Sequence, residues 1–182
     1  CSSDLNFSGY EVMKQAVTRN PTEPVYDTEG RTPISGGYYY NDGPFKYYNP
    51  VAMQNESTNE TLDREFSGSV HASLKIIDPL KINALASLVE TNTRNGYYQT
   101  QYYPIDFGTN GRATSTNSLS SSKQFEVNAD FNHSFGDHKI QAIAGYSYYD
   151  YWNERYYGMN YGYDTDIFSF YNMGAGSALS AG

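Results

Sequence analysis

From Phe66 to Ile76 the sequence alternates without a break. Phe66, Gly68, Val70, Ala72, Leu74 and Ile76 fall on one side of an extended chain, and Ser67, Ser69, His71, Ser73 and Lys75 on the other. A period of two marks a strand with one apolar and one polar face, whereas a helix would scatter the same residues around its circumference. Asp78-Pro79 then supplies a turn, and Leu80, Ile82, Ala84, Ala86 and Leu88 continue an apolar face opposite Lys81, Asn83 and Ser87. The pattern recurs further along. Phe125, Val127, Ala129, Phe131 and Phe135 alternate with Gln124, Glu126, Asn128, Asp130, Asn132 and Ser134. Gly136-Asp137 makes the next turn, and Ile140, Ala142, Ala144, Tyr146 and Tyr148 form the apolar face of the returning strand. The chain is therefore expected to be all-β, built on two antiparallel hairpins.

The connections are unequal. Tight turns join the strands at one end, while a polar stretch from Thr91 to Leu119 and another after Trp152 join them at the other. Short turns at one end and long loops at the other are how outer-membrane barrels divide their two sides. Phe125 and Phe135 are ten residues apart, close to the roughly 9 to 11 residues with which a tilted strand crosses a bilayer. Phe125, Phe135, Tyr146, Tyr148 and Trp152 are the expected membrane-interface aromatics, joined near the end of the last strand by Tyr149 and Tyr151. The opposite face carries Glu126, Asn128, Asp130 and Asn132. A buried core would have to pair each of these groups, whereas a watery lumen solvates them. A two-layer soluble sandwich with one wet face is the competing architecture.

Composition narrows the function. Leu, Ile, Val and Phe make up only about 18% of the 182 residues and the net charge is −8, values that suggest disorder, yet 20 tyrosines are present and disordered chains are poor in aromatics. The acidic balance and the lack of a Lys/Arg run exclude a nucleic-acid binder. One cysteine excludes a disulfide framework and the multi-cysteine zinc patterns. No apolar run nears the roughly 18 residues of a membrane helix, so any crossing must use strands. His71, His133 and His138 lack metalloprotease spacing, and no catalytic constellation, metal site or cofactor is expected. Asp106, Asp164 and Asp166 read as solvated loop acids rather than calcium ligands.

Tyrosine clusters where the strands do not. Tyr38, Tyr39, Tyr40 and Tyr47 lie in one loop and Tyr97, Tyr98, Tyr102 and Tyr103 in another, and these eight are the candidate substrate-binding residues, able to stack on sugars or peptides and to hydrogen-bond through the phenol. None lies between Pro50 and Gly96. Tyr10, Met13 and Val17 have helical spacing, and Asn20-Pro21 ends the run, which predicts a short helix packed within a loop.

Four segments carry a resemblance. Arg19-Asn20-Pro21-Thr22-Glu23-Pro24-Val25-Tyr26-Asp27, Tyr48-Asn49-Pro50-Val51-Ala52, the Asp78-Pro79-Leu80-Lys81 turn and His138-Lys139-Ile140-Gln141-Ala142-Ile143-Ala144-Gly145-Tyr146-Ser147 occur in order. Together they resemble the early barrel region of the SusC/RagA-type TonB-linked outer-membrane transporters. The resemblance implies a transmembrane β-barrel of about 22 strands around a plug, of which this chain is a fragment that should not transport by itself. It also implies import of oligosaccharides or peptides across the outer membrane of Bacteroidetes-type bacteria. The implied partners are a SusD-like surface lipoprotein, outer-membrane lipid and the TonB-ExbB-ExbD complex acting through the plug. On this reading 1–57 is an extracellular loop region with a short helix and 58–91 the first transmembrane hairpin. An extracellular loop follows at 92–118, the second hairpin at 119–152 and the start of another loop at 153–182. The alternative is a surface glycan-binding lipoprotein with a soluble β-sandwich fold, anchored through Cys1.

Overall fold

The computed structural model describes residues 3–30, 36–41, 47–105, 110–178 and 180–181. Its elements are α1 (Ser3–Thr18), α2 (Pro50–Asn55), β1 (Ser57–Ile77), β2 (Leu80–Gln99), β3 (Arg112–Phe135), β4 (His138–Tyr161) and β5 (Ser180–Ala181), with two 3₁₀ turns at Ser169–Tyr171 and Met173–Ala175. The five strands form one sheet in the order β1-β2-β3-β4-β5. Two-residue turns at Asp78-Pro79 and Gly136-Asp137 make consecutive strands antiparallel. Gly136 takes φ +59, the left-handed conformation that a hairpin turn opening on glycine requires.

Contacts divide the chain into two units. One comprises Leu62–Arg94 and Asn117–Tyr156, the other Cys1–Thr61, Asn95–Thr116 and Tyr157–Gly182.

The first unit is sheet, and alternation sets its two faces. Ser73 Oγ donates to Asn83 Oδ1 at 2.5 Å, while Asn83 Nδ2 donates to Asn128 Oδ1 at 2.9 Å and to Asp130 Oδ2 at 2.6 Å. A Cβ on Gly145 would lie 3.3 Å from Asn128 Cβ. These contacts run across β1, β2, β3 and β4 and fix a single polar face. The other face carries most of the large apolar side chains, and several of them are exposed: Val70 is 70% accessible, Leu74 62% and Phe135 54%. The described strands make one open sheet, so the two-layer sandwich is replaced. Among the described residues no second sheet covers this apolar surface. Cys1, on which the lipoprotein alternative relied, lies outside the described residues.

The strands outrun the limits read from the sequence. β2 continues to Gln99 rather than 91, β3 begins at Arg112 rather than 119, and β4 continues to Tyr161 rather than 152. β1 takes in the stretch from Thr58 to Glu65. The long polar stretch from Thr91 therefore contracts to a connection of 100–111. β5 pairs with the extended end of β4 through Gly158–Ala181 and Met159–Ser180.

The second unit contains both helices. Asn49 caps α2: its Oδ1 accepts from Val51 N at 3.1 Å and Ala52 N at 3.4 Å, and Pro50 starts the helix where its missing N–H costs nothing. Nδ2 of the same residue donates to the Val25 carbonyl at 2.7 Å, beside the isolated Tyr26–Tyr38 bridge. α1 is helical as its spacing predicts, but it is not packed by its apolar stripe. Tyr10, Met13 and Val17 are exposed and Gln15 is buried, because Gln15 Oε1 accepts from the Tyr48 backbone N–H at 3.0 Å.

Candidate functional site

Within the sheet unit, the candidate site is the division between its faces. Tyr146, Tyr148 and Trp152 share the apolar face of β4 and are about half exposed or more, as are Phe125 and Phe135 on β3. Tyr149 and Tyr151 alternate with them and so belong to the polar face, where Ser122 Oγ donates to Tyr149 Oη at 3.4 Å. The aromatic cluster read at this end of β4 thus splits between two environments. Near the second turn, His133 meets Phe135 edge-on with ring centroids 4.1 Å apart, a packing role.

In the second unit, two groups of tyrosines are organised by different joints. Tyr38 is buried, stacks on Tyr26 with centroids 5.8 Å apart, and accepts at Oη from Asn55 Nδ2 at 3.1 Å. Tyr39 lies under the Arg19 guanidinium at 5.8 Å. Arg19 also pairs with Glu23 at 3.0 Å and donates to the Pro24 carbonyl at 2.8 Å, so the Arg19–Asp27 motif is a self-bonded turn. Tyr40 and Tyr102 are half-buried and Tyr47 is 37% exposed. A pocket of about 180 Å³ opens between Pro24, Tyr26, Asp27, Thr28, Glu29 and Tyr39. It combines aromatic rings with carboxylates.

Tyr98 is 2% exposed. Its phenol donates to Asp166 Oδ1 at 2.7 Å, and Gln101 donates to Asp166 through its backbone N–H and its side chain, both at 3.3 Å. Around it lie Ala113, Tyr163 and Phe170, with Tyr163 edge-on to Tyr98 at 5.5 Å. Burial first, and then the Asp166 carboxylate, push the Tyr98 phenol far above its usual range; burial alone raises Tyr163. Gly96 makes the cluster possible. A Cβ there would lie 2.2 Å from the Phe170 ring, a distance no pair of atoms tolerates. Tyr97 is half-buried and Tyr103 is buried.

The eight candidate tyrosines therefore fall into two classes. Tyr38, Tyr98 and Tyr103 are buried and build the loops from within, whereas Tyr39, Tyr40, Tyr47, Tyr97 and Tyr102 keep exposed surface. Asp166 is a three-bond acceptor rather than a solvated loop acid. Asp106 lies outside the described residues, and among the described residues no cluster of His, Cys, Asp and Glu has metal-site geometry. Asn160 went unnoticed in the sequence. It is 1% exposed, donates to the Met173 carbonyl at 2.6 Å and accepts from Tyr161 N and Ala178 N. No periodicity or motif marks Asn160 or Asp166, since most of their partners are carbonyls, amides and phenols far along the chain. The Asn49-Pro50 pair did carry a signal, a capping residue followed by proline.

No family model matches the chain. It is 26% identical over 174 residues to TonB-dependent receptor P3 of Formosa agariphila, an alignment covering 93% of this chain and 16% of the receptor. Among solved structures it is similar to the RagAB peptide transporter, with a TM-score of 0.67 at 18% identity over 80% of this chain and 17% of that one. It is similar also to the RagAB peptide importer in its 'closed-closed' state, with a TM-score of 0.67 at 19% identity over the same shares. The chain thus spans less than a fifth of the length of the relatives it matches. At these identities the structural likeness speaks to fold, and the receptor alignment supplies the sequence relationship. The chain is thus similar in sequence to a TonB-dependent receptor and in fold to part of the RagAB transporter, in agreement with the SusC/RagA-type resemblance read from four motifs.

Proposed function

We propose that this chain forms part of the wall and surface loops of a transporter that imports oligosaccharides or peptides, working with a SusD-like surface lipoprotein and powered by the TonB-ExbB-ExbD complex through a plug. One observation carries the reading: a face of large apolar side chains, many of them exposed on β1, β3 and β4, backed by a face of hydrogen-bonded Asn, Asp and Ser. Water would penalise the first face and lipid the second, so the sheet suits a wall between the two. The relatives named are a receptor and transporters, and the segment's role is contact and passage rather than catalysis.

Cysteine replacements at Val70, Ala86, Val127 and Ala142 in the full-length protein test this. All four are expected to react with a bilayer-restricted probe and to resist aqueous maleimide, whereas cysteine at Ser73 or Asn128 does the opposite. Aqueous labelling at all four apolar positions would sink the proposal.

Substrate contact falls to the exposed tyrosines, Tyr39, Tyr40, Tyr47, Tyr97 and Tyr102, with Tyr38, Tyr98 and Tyr103 shaping the loops. Phe125, Phe135, Tyr146, Tyr148 and Trp152 form the interfacial girdle, rings in the hydrocarbon and polar tips in the headgroups. The pocket at Tyr26, Asp27, Glu29 and Tyr39 suits either substrate class. Rings stack on sugars, and carboxylates accept from sugar hydroxyls or from the cationic side chains of a peptide.

A further inference from the structure

Tyr149, Tyr151, Asn153 and Arg155 stand at alternate positions of β4, and alternation puts all four on the polar face. Ser122 and Gln124 of β3 share that face, and Ser122 Oγ bonds to Tyr149 Oη at 3.4 Å. Tyr149 is 63% accessible and Tyr151 59%, and Asn153 and Arg155 are exposed as well. Two open rings are out of place on a face made mostly of Ser, Asn, Gln and Asp, where the smaller groups bond to one another. They are spaced roughly 6.6–6.8 Å along the strand. Among the described residues, Tyr151, Asn153 and Arg155 have no side-chain hydrogen bond or ion pair. The carboxylates of this face are distant from Arg155. Glu126 and Asp130 lie toward the turn at Gly136, and Asp63 and Glu65 are on β1, three strands and so about 14 Å away. Asp150 and Glu154, its neighbours along β4, alternate onto the apolar face.

We propose that this row binds an acidic oligosaccharide, one whose sugars carry carboxylates. The placement rests on the wall proposed above, with its polar face toward water. Sugar rings lie against Tyr149 and Tyr151, whose flat π-surfaces take the C–H side of a pyranose. Ser122, Gln124, Asn153 and the two phenols exchange hydrogen bonds with the hydroxyls. A sugar carboxylate docks on the Arg155 guanidinium, whose planar fork of donors matches its two oxygens. The neighbours of the rings favour sugar over peptide. Neutral hydroxyls and amides beside two rings on one strand match a chain that presents a ring and hydroxyls at every step, whereas a peptide presents rings only at its aromatic residues. Arg155 selects the acidic kind, since the other cation of this face of β4 is Lys139, beside the turn.

The full-length transporter in detergent is titrated calorimetrically with tetragalacturonate, with its neutral methyl ester and with tetraglutamate. The wild type is expected to bind the acid roughly tenfold more tightly than the ester, and both more tightly than the peptide. R155Q should bind the acid no better than the ester and leave ester binding unchanged. Tyr149→Leu and Tyr151→Leu should weaken acid and ester alike, by roughly fivefold per ring. K139Q removes a charge from the same face near the turn and should keep the preference. Failure of the wild type to prefer the acid, or an undiminished preference in R155Q, would overturn the site; tighter binding of tetraglutamate would do so by assigning the row to peptides. Each variant is required to keep the heat-dependent gel shift of a folded barrel. Cysteine labelling separates the two possible failures. Aqueous labelling of Tyr151→Cys with no preference for the acid defeats the sugar site alone, whereas labelling there by the bilayer-restricted probe defeats the wall itself.

Discussion

Tyr98 joins two stretches of chain through one phenol. Its hydrogen bond to Asp166 links the end of β2 to the segment after β4. Tyr98→Phe keeps the ring and removes the donor, and should cost about 1–2 kcal/mol of local stability. Faster hydrogen exchange of the 95–103 and 163–170 amides would register it; unchanged exchange would show that Gln101 holds Asp166 unaided. The phenol's pKa is raised in the fold, so the folded state favours the neutral form. Its contribution is fully present below the unfolded value of 10.0 and is lost progressively as pH rises above it. Wild-type protection of these amides should therefore fall above pH 10. The fall should be smaller in Tyr98→Phe, where only the raised Tyr163 remains. Gly96 makes the same point sterically. Gly96→Val places carbon where the Phe170 ring lies and should destabilise the cluster by about 1–3 kcal/mol, visible as early proteolytic cleavage near Phe170.

Among the elements, the hairpins were legible because alternation reports directly which side of a strand is apolar. Their ends were not. From Asn92 to Gln99 and from Arg112 to Asn117 most side chains are polar on both faces, so hydrophobic periodicity vanishes while the backbone ladder continues unaffected. Helix α1 shows the converse: periodicity gave the helix but not the face it packs by, because a buried glutamine bonded to the Tyr48 amide, and not the apolar stripe, faces inward. The motif segments at Arg19 and Asn49 were legible as patterns, and the structure shows them to be joints, a self-bonded turn and a helix cap. Face assignment makes a sharp prediction at this scale. If this face meets lipid as proposed, Ala144→Arg on the apolar face of β4 should destabilise the full-length protein in a bilayer by about 2–4 kcal/mol, whereas Ser147→Arg on the polar face should cost far less. Urea unfolding in vesicles measures both, and equal losses would mean the faces are wrongly assigned.

For the whole molecule, the low content of large aliphatic residues becomes intelligible. A soluble globule of this composition lacks material for a core, but a wall needs apolar side chains on one face only. What the sequence could not convey is how the loop tyrosines divide between packing and exposure, since that depends on contacts between residues far apart, such as Tyr98 and Asp166. Four long strands and one short one leave an open sheet with unpaired edges. This chain expressed alone and added to vesicles should therefore give no heat-dependent gel shift and no flux of a labelled oligosaccharide, and measurable flux would contradict the open sheet. The unequal connections also carry a kinetic consequence. Closing β1 on β2 and β3 on β4 each requires ordering only a two-residue turn, while joining β2 to β3 must first close the much longer connection of 100–111. Two hairpins should form early, on the microsecond scale of such local closures, and meet afterwards along the seam where Asn83 bonds Asn128 and Asp130. The wall is then assembled as two prefabricated panels, and that amide is the first stitch between them.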